Sequence, residues 1–370
     1  MAFADAYRNR RVLITGHTGF KGAWLAEWLL GLGAQVTGLA LPPPTEPALF
    51  NQLGLAQRLQ HVTGDVRDLA TVQRVVGECQ PDFVFHLAAQ SLVRVSYRQP
   101  AETYATNVMG TVNVLESVRT AARPCTVVAI TTDKCYENKE WVHGYREEDP
   151  MGGFDPYSSS KGAAELVISA YRRSFFSTAP AQVRLASARA GNVIGGGDWA
   201  ADRIVPDCIR ALLRNEPIPV RNLVATRPWQ HVLEPLSGYL WLGACLSGAA
   251  LPPAPRQSPL ASAFNFGPGH ASNRTVADLV EEILKSWPGS WVDRSDPHAL
   301  HEAGLLNLST DKAYHLLQWK PVWNFAETVA QTAGWYRQSS RDAADVRHLT
   351  VGQIASYAAA ARTLKVAWAE

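Results

Sequence analysis

Short apolar runs alternate with helical patterns through the first half of the chain. Runs that are apolar on both faces are typical of strands in a parallel sheet that helices cover on both sides. Helical periodicity follows two of them closely, over Ala23–Leu30 and Gly162–Ile168. The pattern therefore predicts an α/β fold with a doubly wound parallel sheet. The predicted strands are Arg11–Ile14, Ala34–Leu41, Phe83–Gln90, Thr126–Ile130, Val183–Arg189 and, later in the chain, Ala263–Phe266.

Composition narrows the class of protein. The 370 residues suffice for a large core and suggest two lobes or one extended domain. Thirty-five basic and 33 acidic residues give a net charge of +2 without a long basic run, so we expect neither nucleic acid nor a membrane as partner. The polar N-terminus has no apolar signal core, and no apolar stretch reaches membrane length, so we expect a cytoplasmic protein. Five cysteines without Cys-x-x-Cys spacing favour reduced thiols over a zinc site or a disulfide framework.

A glycine motif lies between the first predicted strand and the helix after it. In Thr15–Gly22, Gly16 permits a tight turn, Gly19 allows backbone to approach a pyrophosphate, and Gly22 lets the helix pack on the strand. The amides that begin the helix face the phosphate charge. We therefore predict a dinucleotide site that includes Thr18 and Phe20.

The second predicted strand departs from the usual dinucleotide pattern. It ends in Leu41 followed by three prolines, where a carboxylate normally binds the adenosine ribose. Thr45 and Glu46 are possible substitutes for that carboxylate.

Further cofactor contacts are expected at the ends of the third and fourth strands. The turn Gly64–Asp68 contains Asp65 and Val66, and Asp65 is the expected acceptor for the adenine amine, whereas Asp68 suits a helix N-cap. Ala88 and Ala89 are small enough for backbone to pass close to the cofactor. His86 lies within an apolar run, and we interpret it as structural rather than catalytic.

The stretch Thr131–Lys161 carries the candidate chemistry. Thr132, Asp133 and Lys134 follow a buried strand, at the carboxyl end where open α/β sheets bind their ligands. Tyr157 and Lys161 are four residues apart at the start of a helix, so both can project from one face. A lysine ammonium beside a phenol lowers the phenol's pKa, so we expect tyrosinate to act as a base.

The second half contains candidate substrate ligands. Asn192 precedes Gly195, Gly196 and Gly197, a turn that is either a flexible loop or a place where backbone amides meet a diphosphate. Arg227 is the first choice for a bidentate phosphate contact, and Arg203 is the second. His298, His301 and Glu302 lack a third ligand at a suitable spacing, so no metal site is predicted there.

Four motifs together resemble the extended short-chain dehydrogenases/reductases, and within that superfamily the CDP-glucose 4,6-dehydratases. The likeness runs from about Arg11 to about Trp335 and rests on Thr15–Gly22, Thr132–Tyr136, Gly191–Trp199 and Arg227–Pro235, with the pair Tyr157 and Lys161. It implies a Rossmann domain at 1–188 whose sheet is completed by segments near 228–248 and 261–268. Residues 189–370 would largely form the smaller mixed α/β substrate-binding lobe, with C-terminal helices. The implied cofactor is NAD, and the implied substrate is CDP-glucose.

The resemblance also implies roles for single residues. Tyr157 would take the proton of the sugar's 4-hydroxyl, with Lys161 holding the phenolate charge and the nicotinamide ribose and Thr132 steadying the developing carbonyl. Asp133 would protonate the departing 6-hydroxyl if its surroundings raise its pKa. Lys134 stands where related dehydratases carry glutamate, and our hypothesis is that it takes the carbon-5 proton, which requires a strongly depressed pKa; otherwise another group is the base. His301 would lie near the nucleotide.

Several alternatives stay open on the sequence. Another nucleotide-sugar 4,6-dehydratase, a 4-epimerase or a decarboxylase shares the Tyr157–Lys161 pair, although Asp133 beside Lys134 favours dehydration. A regulator that binds NAD(H) without turnover is the alternative of another class. The family also implies a homodimer or tetramer, with 102–118 and 158–175 as the candidate interface helices.

Overall fold

A seven-stranded parallel sheet forms the centre of the protein. The structure is a computed structural model, and it describes residues 2–177, 183–250, 260–295, 304–341 and 345–370. The strands in these ranges, seven of which form the central sheet, are β1 (Arg11–Thr15), β2 (Gln35–Ala40), β3 (Gln60–Thr63), β4 (Phe83–His86), β5 (Cys125–Ile130), β6 (Val183–Ala190), β7 (Val193–Ile194), β8 (Ile218–Val220), β9 (Thr226–Pro228), β10 (Gln230–His231), β11 (Ala263–Phe266), β12 (Asn273–Thr275) and β13 (Trp291–Asp293). The sheet has the order β3-β2-β1-β4-β5-β6-β11, and every neighbouring pair is parallel. The predicted parallel sheet is confirmed, with Ala263–Phe266 as its last strand.

Helices cover both faces of this sheet. They are α1 (Phe20–Gly31), α2 (Leu49–Gln52), α3 (Leu69–Cys79), α4 (Val93–Arg98), α5 (Pro100–Tyr104), α6 (Gly110–Thr120), α7 (Pro156–Tyr171), α8 (Ile204–Leu213), α9 (Leu233–Ser247), α10 (Val276–Ser286), α11 (Asp311–Leu317), α12 (Phe325–Ser339) and α13 (Val346–Thr363). A π-helical segment, Ala105–Met109, joins α5 to α6, and another, Arg172–Phe176, extends α7. None of the helices in the described ranges is both long and apolar enough to cross a membrane.

The alternation of side chains along each strand explains the two-sided burial. In β1, Val12 and Ile14 belong to the larger apolar cluster on one face, and Leu13 belongs to the cluster on the other. In β5, Val128 and Val127 divide in the same way. Successive side chains of a strand point to opposite faces, so a strand that is apolar throughout is stable only between two layers of helices.

Some boundaries differ from the sequence prediction. The fourth strand ends at His86 rather than Gln90, because the chain leaves the sheet there to pass the glycine turn: a Cβ on Gly16 would lie 2.8 Å from the Ala88 nitrogen. The last long helix begins at Val346, earlier than the predicted Thr350. Helix α10 begins where predicted, since Thr275 and Asp278 form a capping box.

The second half adds three small sheets beside the central one. They pair β7 with β10, β8 with β13, and β9 antiparallel to β12. The pairing of β7 with β10 places the segment after β6 next to the start of α9. The carboxyl ends of β5 and β6 therefore face residues of the second half, and this edge carries the site.

Candidate active site

The glycine turn between β1 and α1 needs its glycines. Gly16 has a φ of 81°, and a side chain there would collide with the backbone of Leu87 and Ala88. A side chain on Gly22 would collide with the Gly16 carbonyl. Gly19 is the N-cap of α1 and brings no side chain to the amides of the first turn, which include that of Phe20. The turn is therefore a tight backbone cradle ending in helix amides, which is the geometry that binds a pyrophosphate.

The end of β2 lacks a carboxylate in the structure as in the sequence. Leu41 is 54% exposed, and its carbonyl accepts a hydrogen bond of 2.9 Å from the Thr18 hydroxyl. Thr45, one of the proposed substitutes, donates to the Pro47 carbonyl at 2.9 Å. The Thr45 hydroxyl thus closes a local turn.

The turn after β3 holds Asp65 in an ion pair. Arg67 contacts the Asp65 carboxylate at 2.6 Å, and the hydrogen bonds from the Arg67 side chain and backbone hold the pKa of Asp65 below its usual range although partial burial opposes them. Asp68 caps α3 by accepting from the Ala70 amide. Val66 packs against Gly110 of α6, while Ala88 and Ala89 are half-buried beside the glycine turn. An adenine role for Asp65 stays a prediction.

The segment Thr131–Tyr136, which we call the acid–base segment, leaves the end of β5 as a turn of 3₁₀-helix. The Thr132 hydroxyl donates to Asp133 Oδ1 at 2.9 Å, while Asp133 Oδ2 is buried without a hydrogen-bond partner. Burial raises the pKa of Asp133 above its ordinary value, although the charges of Lys134 and Arg227 oppose the shift. A buried carboxyl that is held by one hydroxyl suits an acid that keeps its proton. Lys134 is half-buried at the same place.

Helix α7 presents Tyr157 and Lys161 to this segment. Asp155 caps the helix through the Ser158 amide at 2.9 Å, and Pro156 stands in the first turn, where a missing amide hydrogen costs nothing. Lys161 Nζ donates to the Ile130 carbonyl at 3.4 Å, at the last residue of β5. Both side chains are buried, and the helix thus joins the base candidate to the end of the strand.

The expected lowering of the tyrosine pKa is wrong. Burial raises the pKa of Tyr157 to about 12, and the hydrogen bond to Thr132 and the charge of Arg203 only partly offset it. Burial also lowers the pKa of Lys161 to about 8, against the attraction of Glu165. The cause is the same in both: removing a group from water disfavours its charged form. Sequence spacing shows that the two residues share a helix face but contains no measure of this burial.

Two residues that the sequence reading missed face the same cluster. Lys21, in the first turn of α1, donates to the Tyr239 hydroxyl at 3.4 Å. Desolvation, then the charges of Arg203 and Lys161, lower the pKa of Lys21 to about 7, and Asp133 opposes the shift. A lysine among the fingerprint glycines was the available signal for Lys21. Tyr239 lies in the middle of α9, a helix that is buried on all sides and whose sequence offered no such signal.

The two predicted arginines reach this edge from the second half. Arg203 contacts Asp198 at 2.8 Å, and its charge acts on Tyr157. Arg227 is buried in β9, donates to the Thr226 carbonyl at 2.9 Å, and its charge acts on Asp133. Asn192 is half-buried between β6 and β7.

The structure changes the interpretation of the glycine-rich turn, and it does not describe the segment that contains His301. Side chains on the three turn glycines would collide with Val232, Trp335 and Leu49, so packing explains Gly195, Gly196 and Gly197, and a diphosphate cradle is not needed. His301, with His298 and Glu302, falls outside the described residues, as does the proline-rich segment 251–255. Within the described ranges no group of three His, Cys, Asp or Glu side chains could hold a metal ion.

His86 is enclosed by hydroxyl groups. Its ring nitrogens lie 2.7 Å from Thr15 Oγ1 and 3.1 Å from Thr111 Oγ1, and burial lowers its pKa to about 3. A neutral histidine that joins β1, β4 and α6 in this way agrees with the structural interpretation.

Comparison with known proteins agrees with this architecture. A parallel Rossmann sheet with a glycine turn at β1, an acid–base segment at β5 and a Tyr-x-x-x-Lys pair on α7 defines an extended short-chain dehydrogenase/reductase. The family model described as GDP-mannose 4,6-dehydratase matches residues 13–242, and the chain belongs to that family.

Two curated relatives are similar over most of their length. A CDP-glucose 4,6-dehydratase of Salmonella typhimurium is 48% identical over 338 residues, which are 90% of this chain and 91% of the relative. A dTDP-glucose 4,6-dehydratase of Streptomyces antibioticus is 28% identical over 89% of this chain and 92% of its own length.

Solved structures show the same fold. The dTDP-glucose 4,6-dehydratase DesIV of Streptomyces venezuelae, solved with NAD and TYD, superposes with a TM-score of 0.75 at 24% identity, over 90% of this chain and 98% of its own. An epimerase of Methanothermobacter thermautotrophicus has a TM-score of 0.75 at 23% identity, over 92% and 96% of the two chains. At these identities the superpositions concern the fold alone.

Proposed function

We propose that this protein catalyses the NAD-dependent dehydration of CDP-D-glucose to CDP-4-dehydro-6-deoxy-D-glucose. The observation that carries the proposal is the 48% identity over nine-tenths of the chain to a CDP-glucose 4,6-dehydratase. The matching family model is described as GDP-mannose 4,6-dehydratase, and a relative that acts on dTDP-glucose by its name is only 28% identical. Both likenesses are less specific than the 48% identity, so CDP-glucose is the proposed substrate. The buried Asp133 supports dehydration over epimerisation, because a 4-epimerase has no leaving group to protonate.

The glycine turn and its surroundings fit NAD. Gly16, Gly19 and Gly22 form the backbone cradle, the first-turn amides of α1 supply hydrogen-bond donors for a pyrophosphate, and Lys161 projects into the same edge. Our proposal adds Thr18, Phe20, Asp65, Val66, Ala88, Ala89 and Tyr157 as contacts to the rest of the cofactor. When bound, NAD takes a hydride from carbon 4 and returns it to carbon 6.

Oxidation at carbon 4 needs a base for the hydroxyl proton. Tyr157 takes that proton, and the hydrogen bond from Thr132 together with the charge of Arg203 stabilises the resulting phenolate. Lys161, one helical turn further along α7, is the proposed cation for the phenolate when substrate and cofactor are bound. We also propose that the Thr132 hydroxyl, which donates to Asp133 in the structure, turns to the developing carbonyl when substrate is bound. Because burial raises the pKa of the Tyr157 phenol, the stabilisation that these groups give must offset the cost of holding a buried phenolate.

Elimination of water needs a second acid and base. The new ketone acidifies the carbon-5 proton, which Lys134 removes as a neutral amine, while Asp133 gives its proton to the departing 6-hydroxyl. Burial keeps Asp133 protonated to a higher pH than an ordinary aspartate, which is the state that this step requires.

The substrate's diphosphate and nucleoside bind through the second half. Arg227 and Arg203 provide the charge for the diphosphate, and their effects on Asp133 and Tyr157 put them beside the reacting groups. Asn192 lies at the same edge and contributes a polar contact, and His301 is the proposed neighbour of the nucleoside.

Product analysis tests the proposal directly. Purified protein is incubated separately with CDP-glucose, UDP-glucose, GDP-mannose and dTDP-glucose, with and without added NAD, and the 4-keto-6-deoxy sugar is followed by mass spectrometry. We expect product from CDP-glucose only. Product from another nucleotide sugar would reassign the substrate, an epimerised sugar would establish the epimerase, and NAD binding without turnover of any sugar would support a regulator.

The same family relationship suggests a second copy of the chain as partner. Helices α5, α6 and α7, with their π-helical segments, carry large apolar side chains that are exposed: Tyr104 (39%), Met109 (51%), Leu166 (63%) and Phe175 (46%). Apolar side chains on two adjacent helices suit a bundle with the same helices of a second protomer, so the proposed assembly is a homodimer, or a tetramer of two such dimers.

The cysteines bear on the compartment. All five are free, and four of them are buried. Free thiols persist in reducing compartments, so a cytoplasmic location is proposed, which cell fractionation would test.

A further inference from the structure

The acid–base segment Thr131–Tyr136 is held at both ends by one buried ion pair. At its start, the Thr131 hydroxyl donates to Glu165 Oε1 at 2.5 Å. At its end, Arg189 Nη1 donates to the Tyr136 hydroxyl at 2.7 Å. Arg189 Nη2 in turn donates to Glu165 Oε2 at 2.8 Å, which closes the connection between the two ends.

The pair is enclosed and fixed by further contacts. The Glu165 and Arg189 side chains are only 3% and 4% exposed. The Ser187 hydroxyl of β6 donates to Glu165 Oε2 at 2.9 Å, and Arg189 also donates to the Glu147 carbonyl at 3.0 Å. Arg189 Nε is buried without a hydrogen-bond partner, and the bonds at the two terminal nitrogens hold the guanidinium in place, because the loss of either would leave a further buried group without a partner.

The pair also connects the segment to the second half. Tyr136 donates to Asn265 Oδ1 at 2.8 Å, and Asn265 Nδ2 donates to the carbonyls of Tyr145 and Ser309. Thr132, Asp133 and Lys134 lie between the two anchored ends, and the Thr132 hydroxyl bonds to Asp133 and to the Lys134 amide rather than to the pair. Loss of either anchoring hydrogen bond would therefore displace these three residues.

We propose that Glu165 and Arg189 are positioning residues that set the place of Asp133 and Lys134 and thereby govern elimination more than oxidation. The inference rests on the proposed function. Oxidation takes only Thr132 from the anchored segment, and its other two groups, Tyr157 and Lys161, lie on α7 and are placed by the helix cap and by the Lys161–Ile130 contact. Elimination depends on Asp133 and Lys134, both of which lie within the anchored segment, and general acid–base catalysis is sensitive to displacements well below hydrogen-bond length.

Two conservative variants loosen one anchor each without removing a charge. Thr131→Val deletes the hydroxyl at the start of the segment, and Tyr136→Phe deletes the hydroxyl at its end. The matched control is Ser187→Ala, which removes a hydroxyl from the same Glu165 carboxylate but lies on β6 outside the segment. Thermal unfolding of all three variants establishes that each is folded.

Two substrates separate the half-reactions. CDP-glucose reports the full reaction, and CDP-6-deoxyglucose, which has no 6-hydroxyl to lose, reports oxidation alone through the absorbance of NADH. For Thr131→Val and Tyr136→Phe we expect the ratio of dehydration to oxidation rates to fall about tenfold, and for Ser187→Ala to stay within about twofold of wild type. Arg189→Lys, which keeps the charge but not the forked contact, should lower the same ratio.

Other outcomes contradict the inference in distinguishable ways. Equal loss of both rates in the two anchor variants, or a ratio that falls as far in Ser187→Ala, would show that the pair only stabilises the fold. An unchanged ratio in the anchor variants would show that the segment does not need these anchors. A wild-type protein that dehydrates none of the nucleotide sugars would contradict the proposed function first, and the inference with it.

Discussion

Gly191 leaves the space in which the Asp133 carboxyl lies. A Cβ at position 191 would be 2.7 Å from Asp133 Oδ2, the oxygen that is buried without a hydrogen-bond partner. Gly191 follows β6, and Asp133 follows β5, the neighbouring strand. The lack of a side chain at one residue therefore determines where the acid of the next strand can sit.

Replacing Gly191 by alanine should displace the acid. We expect Gly191→Ala to lower turnover of CDP-glucose about tenfold or more, because a short carboxyl side chain must shift to admit a methyl group, while oxidation of CDP-6-deoxyglucose changes little. Steady-state rates with both substrates check this. The control is Gly77→Ala, where a Cβ meets nothing within 4 Å. Normal dehydration by Gly191→Ala would contradict the assignment of Asp133 as the acid.

Removing the proton of Asp133 should remove one limb of the pH profile. Asp133→Asn should lower kcat for dehydration by about 10²- to 10⁴-fold, as expected for loss of a general acid, with oxidation of CDP-6-deoxyglucose retained. In the wild type, burial raises the pKa of Asp133, so dehydration should fall as pH rises through that raised pKa. A pH–rate profile that keeps this fall in Asp133→Asn would assign the acid elsewhere.

Lys134 should control exchange at carbon 5. Lys134→Ala should abolish incorporation of solvent deuterium at carbon 5 of the product, because the half-buried amine is the proposed base for that proton. Mass spectrometry of product formed in heavy water makes the measurement. Lys139→Ala is the control, since Lys139 lies over the Trp141 ring. Exchange at the wild-type rate in Lys134→Ala would exclude this lysine as the base.

His86 should make the protein sensitive to acid. Its pKa is lowered to about 3 in the folded state, so below its unfolded pKa near 6.5 the unfolded chain binds a proton that the folded chain does not. The stability of the neutral form is thus complete above about pH 6.5 and is lost as pH falls, by up to about 1.4 kcal/mol per pH unit.

Denaturant unfolding at several pH values tests this contribution. His86→Gln should flatten the loss of stability between about pH 6.5 and pH 5 relative to wild type, since glutamine does not titrate. His315→Gln, at an exposed residue of α11, should leave the slope unchanged. Equal slopes in wild type and His86→Gln would mean that His86 is not held neutral.

A charge on the exposed face of α7 should prevent assembly. Leu166→Glu should convert the proposed dimer to a monomer, because a carboxylate would be buried without a partner against the second copy. Light scattering of the purified protein measures the mass. Leu213→Glu on α8, where the leucine is 43% exposed, is the matched control and should stay dimeric. A Leu166→Glu protein of unchanged mass would place the interface elsewhere.

The strands, the glycine turn and the helix that carries Tyr157 could be predicted from the sequence, because each depends on a local pattern of residues. Apolar runs such as Thr126–Ile130 satisfy both faces of a covered strand, and the glycine spacing at Gly16, Gly19 and Gly22 permits a turn that only residues without side chains can form. The position of Thr132 and Asp133 at a strand end and the spacing of Tyr157 and Lys161 follow from the same periodicities. These features depend on neighbours within a few residues.

Only the tertiary structure decided the electrostatics and the supports of the site. Burial raises the pKa of Tyr157, against the sequence expectation, because desolvation depends on every element packed around the phenol. Three contacts join residues far apart in the chain, so no local pattern could show them: Lys21 with Tyr239, Glu165 with Arg189, and Gly196 with Trp335. Spacing along the chain therefore predicts which groups are present, and their charge states and exact positions follow from long-range packing.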